Sequence, residues 1–269
     1  MRSVGIDVGT YSIKVVDLEV TTKSVLVNDC FEVPLNSDPT FDKRVPTLEI
    51  LRELSANFDP AKTRISVALP QQFVSLRHRI FPFRERHKVL KSLPFELEDD
   101  IPMSQENAIF EAKTIRYKKN ASEVLALASP KENIAELLQL YNDGGMDPDI
   151  VSCEAAAVSS ISENWAASPP EVTNPNDAIP EEGTNTEVAF HPEPAKIILH
   201  MGHQRSVVVA VHQDGILSSR CLFWGGSNVI RALQKQYGIP YADAVKALVE
   251  KGFVLTKTEG ATHDQINFS

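Results

Sequence analysis

The feature that most restricts this chain is a pattern it carries twice. Residues 5–16 read GIDVGTYSIKVV: Val4, Ile6 and Val8 alternate to one face, Gly-Thr-Tyr-Ser makes a turn, and Ile13 and Val15 resume the alternation. Period-two apolar spacing on both sides of a short glycine turn is the mark of a β-hairpin. Residues 196–217, KIILHMGHQRSVVVAVHQDGIL, repeat it. Superposing Gly202 on Gly9 sets Ile198 on Gly5, Leu199 on Ile6, His200 on Asp7, Gln204 on Tyr11, Arg205 on Ser12 and Val207 on Lys14. A tight Asp214-Gly215 turn then leads to a third strand over 216–223, and Trp224-Gly225-Gly226-Ser227 opens a helix over 228–237.

The hairpin tip has a chemical reading and a plain one. Asp7 lies on the face opposite the apolar residues, while Gly9, Thr10, Tyr11 and Ser12 supply backbone N–H groups able to converge on an anion, and Lys14 adds positive charge. Small residues are needed where a backbone approaches a phosphate, and glycine at position 9 accepts φ > 0 without steric cost. The plain reading of the same residues is an ordinary N-terminal hairpin with a glycine turn. Two phosphate-facing hairpins on duplicated, RNase H-like α/β lobes are the arrangement of an actin-like nucleotide-binding fold. On that reading the cofactor-binding set is Asp7, Gly9, Thr10, Tyr11, Ser12 and Lys14 with Gly202, Gly225 and Gly226.

Between the two copies the periodicity changes several times. A third strand is expected over 24–33 and a helix over 47–58, on the spacing of Leu48, Leu51, Leu54 and Phe58. A strand over 64–69 closes at Pro70, and 72–81 alternates again. A helix follows over 84–100, ended by Ile101-Pro102 because the residue before proline is pushed out of the α region. Strands near 108–115 and 123–128 and a helix over 130–141, stopped by Asp143-Gly144-Gly145, complete a compact α+β unit. The expected organisation is a first lobe from 1–63 and 149–164, an inserted α+β unit from 64–148, a linker over 165–195, and a second lobe from 196–269. The ending KTEGATHDQINFS brings no finishing element, so truncation of the second lobe is expected.

Charge and cysteine usage narrow the class. The linker carries Glu171, Asp177, Glu181, Glu182, Glu187 and Glu193, no Lys or Arg, and six prolines, a composition that predicts disorder. Taking those six charges from the net −9 leaves −3 for the rest, so a broad nucleic-acid surface is not expected. Cys30, Cys153 and Cys221 are odd in number, far apart and without ligand spacing, which suits a reducing compartment. No signal peptide is expected ahead of the first strand, and no stretch approaches the ~20 apolar residues of a membrane span. The expected location is cytoplasmic, with the chain free to be the cytoplasmic part of a longer bitopic protein.

In these residues the chain resembles the PilM and GspL proteins of type IV pilus and type II secretion machines, which are similar to FtsA. The resemblance runs nearly the full length. It is carried by GIDVGTYSIKVVDLE at the start, FELEDDIPM over 95–103, VLALASPKENIAELLQLYNDGGMDPDIVSCEAAAV over 124–158, and the second hairpin with Gly225-Gly226. It implies an actin-like ATPase fold whose inserted α+β subdomain replaces the one found in actin. It also implies ATP with Mg²⁺ as the cofactor, Asp7 and Thr10 around the metal and Lys14 on the phosphates. The chain departs from this pattern at the second hairpin, where the family carries Asp-x-Gly and this sequence has His200-Met201-Gly202. Hydrated Mg²⁺ prefers oxygen ligands and takes an imidazole poorly. The adenine-binding glycine motif of such folds would lie beyond Ser269.

Two function classes follow. An ATPase needs a water-positioning carboxylate near the second turn, and the acids nearest it in sequence belong to the linker or to Asp214. His200 and His203 are three apart on a strand-turn, the pattern of a chance polar pair. No catalytic residue or metal ligand is assigned, and ATP with Mg²⁺ is expected as an optional structural ligand. The other class is an adaptor at the inner-membrane face. By resemblance, its partners are a PilN-like N-terminal peptide held between main and inserted domains, a GspE-like secretion ATPase, or other platform proteins. The Arg-rich stretch 77–86, with Phe81 and Phe83 as apolar ends, is a candidate docking surface, or else a solvated basic edge that keeps a strand from aggregating. His78 is expected to be a solvated or edge-strand histidine.

Overall fold

A computed structural model describes residues 1–36, 41–163, 195–212 and 215–252. The acidic linker and the chain end from 253 onward, expected as disorder and truncation, lie outside the described residues but for Ala195.

The first hairpin forms as its alternation requires. Strand β1 (Arg2–Val8) pairs antiparallel with β2 (Ser12–Val20), which pairs with β3 (Val25–Pro34). Val4, Ile6, Ile13 and Val15 are buried, each stabilising the sheet by roughly 1.5–3 kcal/mol relative to exposure. The same register sets Asp7 opposite Lys14. On the other side of β1, β4 (Thr63–Leu69) and then β8 (Ile150–Cys153) join in parallel, giving a five-stranded sheet of order β3-β2-β1-β4-β8. Helix α1 (Arg44–Ser55) buries Thr47, Leu51 and Leu54, the i, i+4, i+7 stripe of a core-facing helix.

This arrangement corrects the boundaries of the expected inserted unit. Strand β4 begins at Thr63 and lies in the middle of the main sheet, so the insertion does not start at Arg64. Helix α3 (Lys131–Asp143) also packs on the main sheet. Its Tyr141 is buried with Val4, Ile6 and Leu51, and the Tyr141 hydroxyl donates to the Ile6 carbonyl at 3.2 Å. The Asp149 N–H donates to the Ile65 carbonyl, and the Asp149 carboxylate accepts from the Ile65 N–H at 2.8 Å, where the main sheet resumes.

What remains between β4 and α3 is a three-stranded antiparallel sheet, β5 (Ser75–Phe81), β7 (Ala121–Pro130) and β6 (Ala108–Lys118), in the order β5-β7-β6. Helix α2 (Arg86–Glu96) covers it through Val89 and Leu93. Helix α2 stops at Glu96 rather than running to Asp100: Pro94 lacks the N–H of an interior turn, and tight turns from Leu97 to Ile101 follow.

The second lobe is a sheet of order β11-β10-β9, from β9 (Lys196–Met201), β10 (Ser206–His212) and β11 (Gly215–Leu222). Helix α5 (Gly226–Tyr237) and helix α6 (Tyr241–Lys251) pack on each other. The three units share a core. Val207, Val209, Val211 and Ile216 of the second lobe pack with Cys153, Ala155 and Val158 around the start of helix α4 (Glu154–Glu163), and with Leu125 of the inserted sheet.

Candidate functional site

The two glycine turns face each other across one cleft, which Asp7, Gly9, Thr10, Tyr11, Ser12 and Lys14 line from the first hairpin and residues 200–205 from the second. They are built alike. The Gly9 N–H donates to the Ser12 carbonyl at 3.0 Å, and the Gly202 N–H donates to the Arg205 carbonyl at 3.0 Å. A Cβ on Gly9 would lie 2.9 Å from the Ser12 oxygen, and one on Gly202 would lie 2.7 Å from the Arg205 oxygen. Gly9 is not among the glycines with positive φ, so close approach, not left-handed backbone, requires glycine there.

Gly225 and Gly226 are not among the residues that line the cleft and sit behind the second turn. The Gly226 N–H donates to the Gly202 carbonyl at 3.0 Å, the Ser227 N–H to the His203 carbonyl at 2.7 Å, and the Gly225 N–H to Asn228 Oδ1 at 3.0 Å. The start of α5 therefore spends the Gly226 and Ser227 donors on fastening the second turn, and the Gly225 donor on capping its own helix. A Cβ on Gly225 would lie 2.7 Å from the His203 carbonyl oxygen.

The carboxylate absent from the second hairpin's own sequence arrives from elsewhere. Glu154, at the start of α4, lines the cleft; its Oε2 accepts from the Gln71 N–H at 2.8 Å, and its Oε1 pairs with the Arg205 guanidinium at 2.8 Å. Lys43 is a second unpredicted member, donating from Nζ to the Thr10 carbonyl. Lys14 is exposed and 4.0 Å from Glu32. Asp7 keeps solvent contact, yet loss of surrounding water raises its pKa. Glu154 adds to that rise, while Lys14, His200 and Arg205 oppose it. The His203 ring lies 5.3 Å from that of Tyr11, and its Nε2 is 3.1 Å from the Tyr241 hydroxyl. Burial, then Lys43 and Arg231, push its pKa below the usual histidine value.

As packed, these residues leave little room for a hydrated Mg²⁺ ion with a nucleotide. The cleft holds about 80 Å³, against the ~300–1,000 Å³ of pockets that enclose drug-sized ligands. Its carboxylates are Asp7 and Glu154, and Glu154 is already ion-paired. Of the residues that line the cleft, Ser12 Oγ and Arg205 Nε are buried without a hydrogen-bond partner, and the guanidinium N–H is a cationic donor that suits an oxygen atom and repels a cation.

A larger cavity of about 340 Å³ opens between the inserted sheet, α4 and the second lobe. Ile115, Leu125, Leu127, Ala156 and Ile216 make it apolar, and Lys113 adds one exposed cation. Strands β6 and β8, each at the edge of its sheet, contribute to its walls. The Arg-rich stretch is less available than its sequence suggests. Arg77 donates to the Asp100 carbonyl, Arg79 pairs with Asp100, Arg84 lies 4.4 Å from the centroid of the Tyr117 ring, and Arg86 pairs with Glu111. Phe81 is a core residue with Phe83 packed against it, which removes both as free apolar ends. His78 sits on edge strand β5, half-buried, with Nε2 2.9 Å from the Ile216 carbonyl, so it bridges to the second lobe instead of facing solvent alone.

Residues 5–254 match the family described as type IV pilus assembly protein PilM. In three dimensions the chain is similar to the solved PilM-PilN type IV pilus biogenesis complex, at 16% identity and a TM-score of 0.72 over 94% of this chain and 70% of that one. It is more distantly similar to the cytoplasmic domain of EpsL, an inner membrane component of the type II secretion system of Vibrio cholerae, at 11% identity and a TM-score of 0.49, covering 95% of this chain and 80% of that one. A third similarity is to MreB5 of Spiroplasma citri bound to ADP, at 8% identity and a TM-score of 0.45, covering 96% of this chain and 64% of that one. A comparison with curated proteins found no match. The fold is the mixed α/β, actin-like one that the duplicated hairpins predict.

Proposed function

The chain belongs to the type IV pilus assembly protein PilM family, and from that premise we propose that it is an adaptor in a type IV pilus or type II secretion assembly platform at the cytoplasmic face of the inner membrane. It docks a partner peptide between its main and inserted sheets and uses nucleotide at most as a structural ligand. The contrast between the two cavities carries this reading. The one between the sheets is apolar and about 340 Å³, while the hairpin cleft is charged and about 80 Å³. Apolar side chains of an extended segment suit the first, and the open edges of β6 and β8 offer main-chain hydrogen bonds of the β-augmentation kind. The likeness to a PilM-PilN complex supports a PilN-like N-terminal segment as the occupant. A GspE-like ATPase or other platform proteins would use other surfaces. Among the described residues no helix is long and apolar enough to cross a membrane.

The test is fluorescence anisotropy with a labelled peptide from the N-terminus of the cognate PilN-like protein. Ala157 is exposed on the α4 wall of the cavity, so Ala157→Trp fills the space without disturbing the core. The expected outcome is at least a ~10-fold loss of peptide affinity, about 1.4 kcal/mol, with an unchanged melting temperature. Peptide binding indifferent to that change would move the docking site elsewhere. The convergence of the two hairpins favours a second reading, an active ATPase. Mg²⁺-dependent ATP turnover lost in a Thr10→Ala, Lys14→Ala double variant would establish it.

A further inference from the structure

We propose that Arg205 is a tethered cation that stands where a divalent metal would be needed in the hairpin cleft, and that its pairing with Glu154 holds the two lobes together without Mg²⁺ or nucleotide. The inference concerns the cleft alone and stands or falls independently of peptide docking.

The repeat places Arg205 where the first hairpin has Ser12. At this position one turn presents a buried hydroxyl and the other a guanidinium that crosses to Glu154 at 2.8 Å. The Glu154 carboxylate is a junction of three units: it starts α4 beneath the main sheet, accepts the Gln71 N–H at the entry to the inserted sheet, and meets Arg205 from the second lobe. Both side chains are largely shielded, at 20% and 17% exposure, so their attraction is screened less than that of a surface pair. A divalent ion approaching Glu154 would meet the Arg205 charge first. It would also find His200 where an oxygen ligand is needed, and Lys14 and Lys43 already beside the first turn.

The experiment is thermal unfolding of the full chain, wild type against Arg205→Gln and Arg205→Lys, each with and without millimolar MgCl₂ and ATP. The wild-type midpoint is expected to stay in place when Mg²⁺ or Mg-ATP is added. Arg205→Gln should melt about 3–8 °C lower, because Glu154 is left unpaired, and should be partly restored by Mg²⁺. Arg205→Lys, which keeps the charge, should recover most of the midpoint and remain indifferent to Mg²⁺. An Arg205→Gln midpoint equal to wild type would overturn the proposal. So would heat of Mg²⁺ or Mg-ATP binding to the wild-type chain in calorimetry, a result that needs no variant to fold.

Discussion

At Gly225 a single methyl group tests how the second turn is held. Its φ of −170° is extended backbone open to any residue, so only space demands glycine: a Cβ would press on the Gly202 and His203 carbonyls. Gly225→Ala is expected to cost about 1–3 kcal/mol in chemical denaturation, whereas Gly5→Ala, with nothing within 4 Å of its Cβ, should stay within about 0.5 kcal/mol. His203 gives the pH test. Its folded pKa lies below 6.5, so the unfolded chain takes up a proton first, and stability present above that pH is lost as pH falls from 6.5 toward the folded value. His203→Gln can still bond Tyr241, and it should flatten that part of the melting-temperature profile between pH 8 and 5. The turn residues were legible because a glycine turn between alternating strands is local. Glu154 was not, because it lies far from both turns in sequence and reaches the cleft only when β8 and α4 pack.

Among the elements, α3 is the one whose membership the periodicity leaves open. Its helical spacing shows which face is apolar and says nothing of which sheet that face meets, and the chain order groups it with the inserted strands. Tyr141 decides the matter by sitting against Ile6 and Leu51 with its hydroxyl on the Ile6 carbonyl. Tyr141→Phe should cost about 1 kcal/mol, the net worth of that hydrogen bond. Hydrogen exchange should show α3 opening with β1 and β4 rather than with β5, β6 and β7. The same limit explains Phe81. Alternation sets it on the face of Arg77 and Arg79, and only α2 lying across β5, β7 and β6 turns a presumed docking end into core.

In the whole molecule the lobes are not independent, since one core is shared by the second lobe, α4 and the inserted sheet. A chain ended after residue 163 would expose Leu125, Cys153 and Val158 together, and is expected to bind a hydrophobic dye and aggregate where the full chain does not. The sequence by itself determined the duplicated hairpins, the alternating cores of β1, β2 and β10, the glycine turns and the family likeness. All of these rest on spacing within a few residues or on a repeat that can be superposed. Only the tertiary structure decided that Arg205 and Glu154 pair across the cleft, that the Gly226 N–H fastens the second turn, and that a roomier apolar cavity lies between the inserted sheet, α4 and the second lobe. Each of these depends on which distant groups meet, and burial, charge pairing and excluded volume become definite only once the lobes have packed.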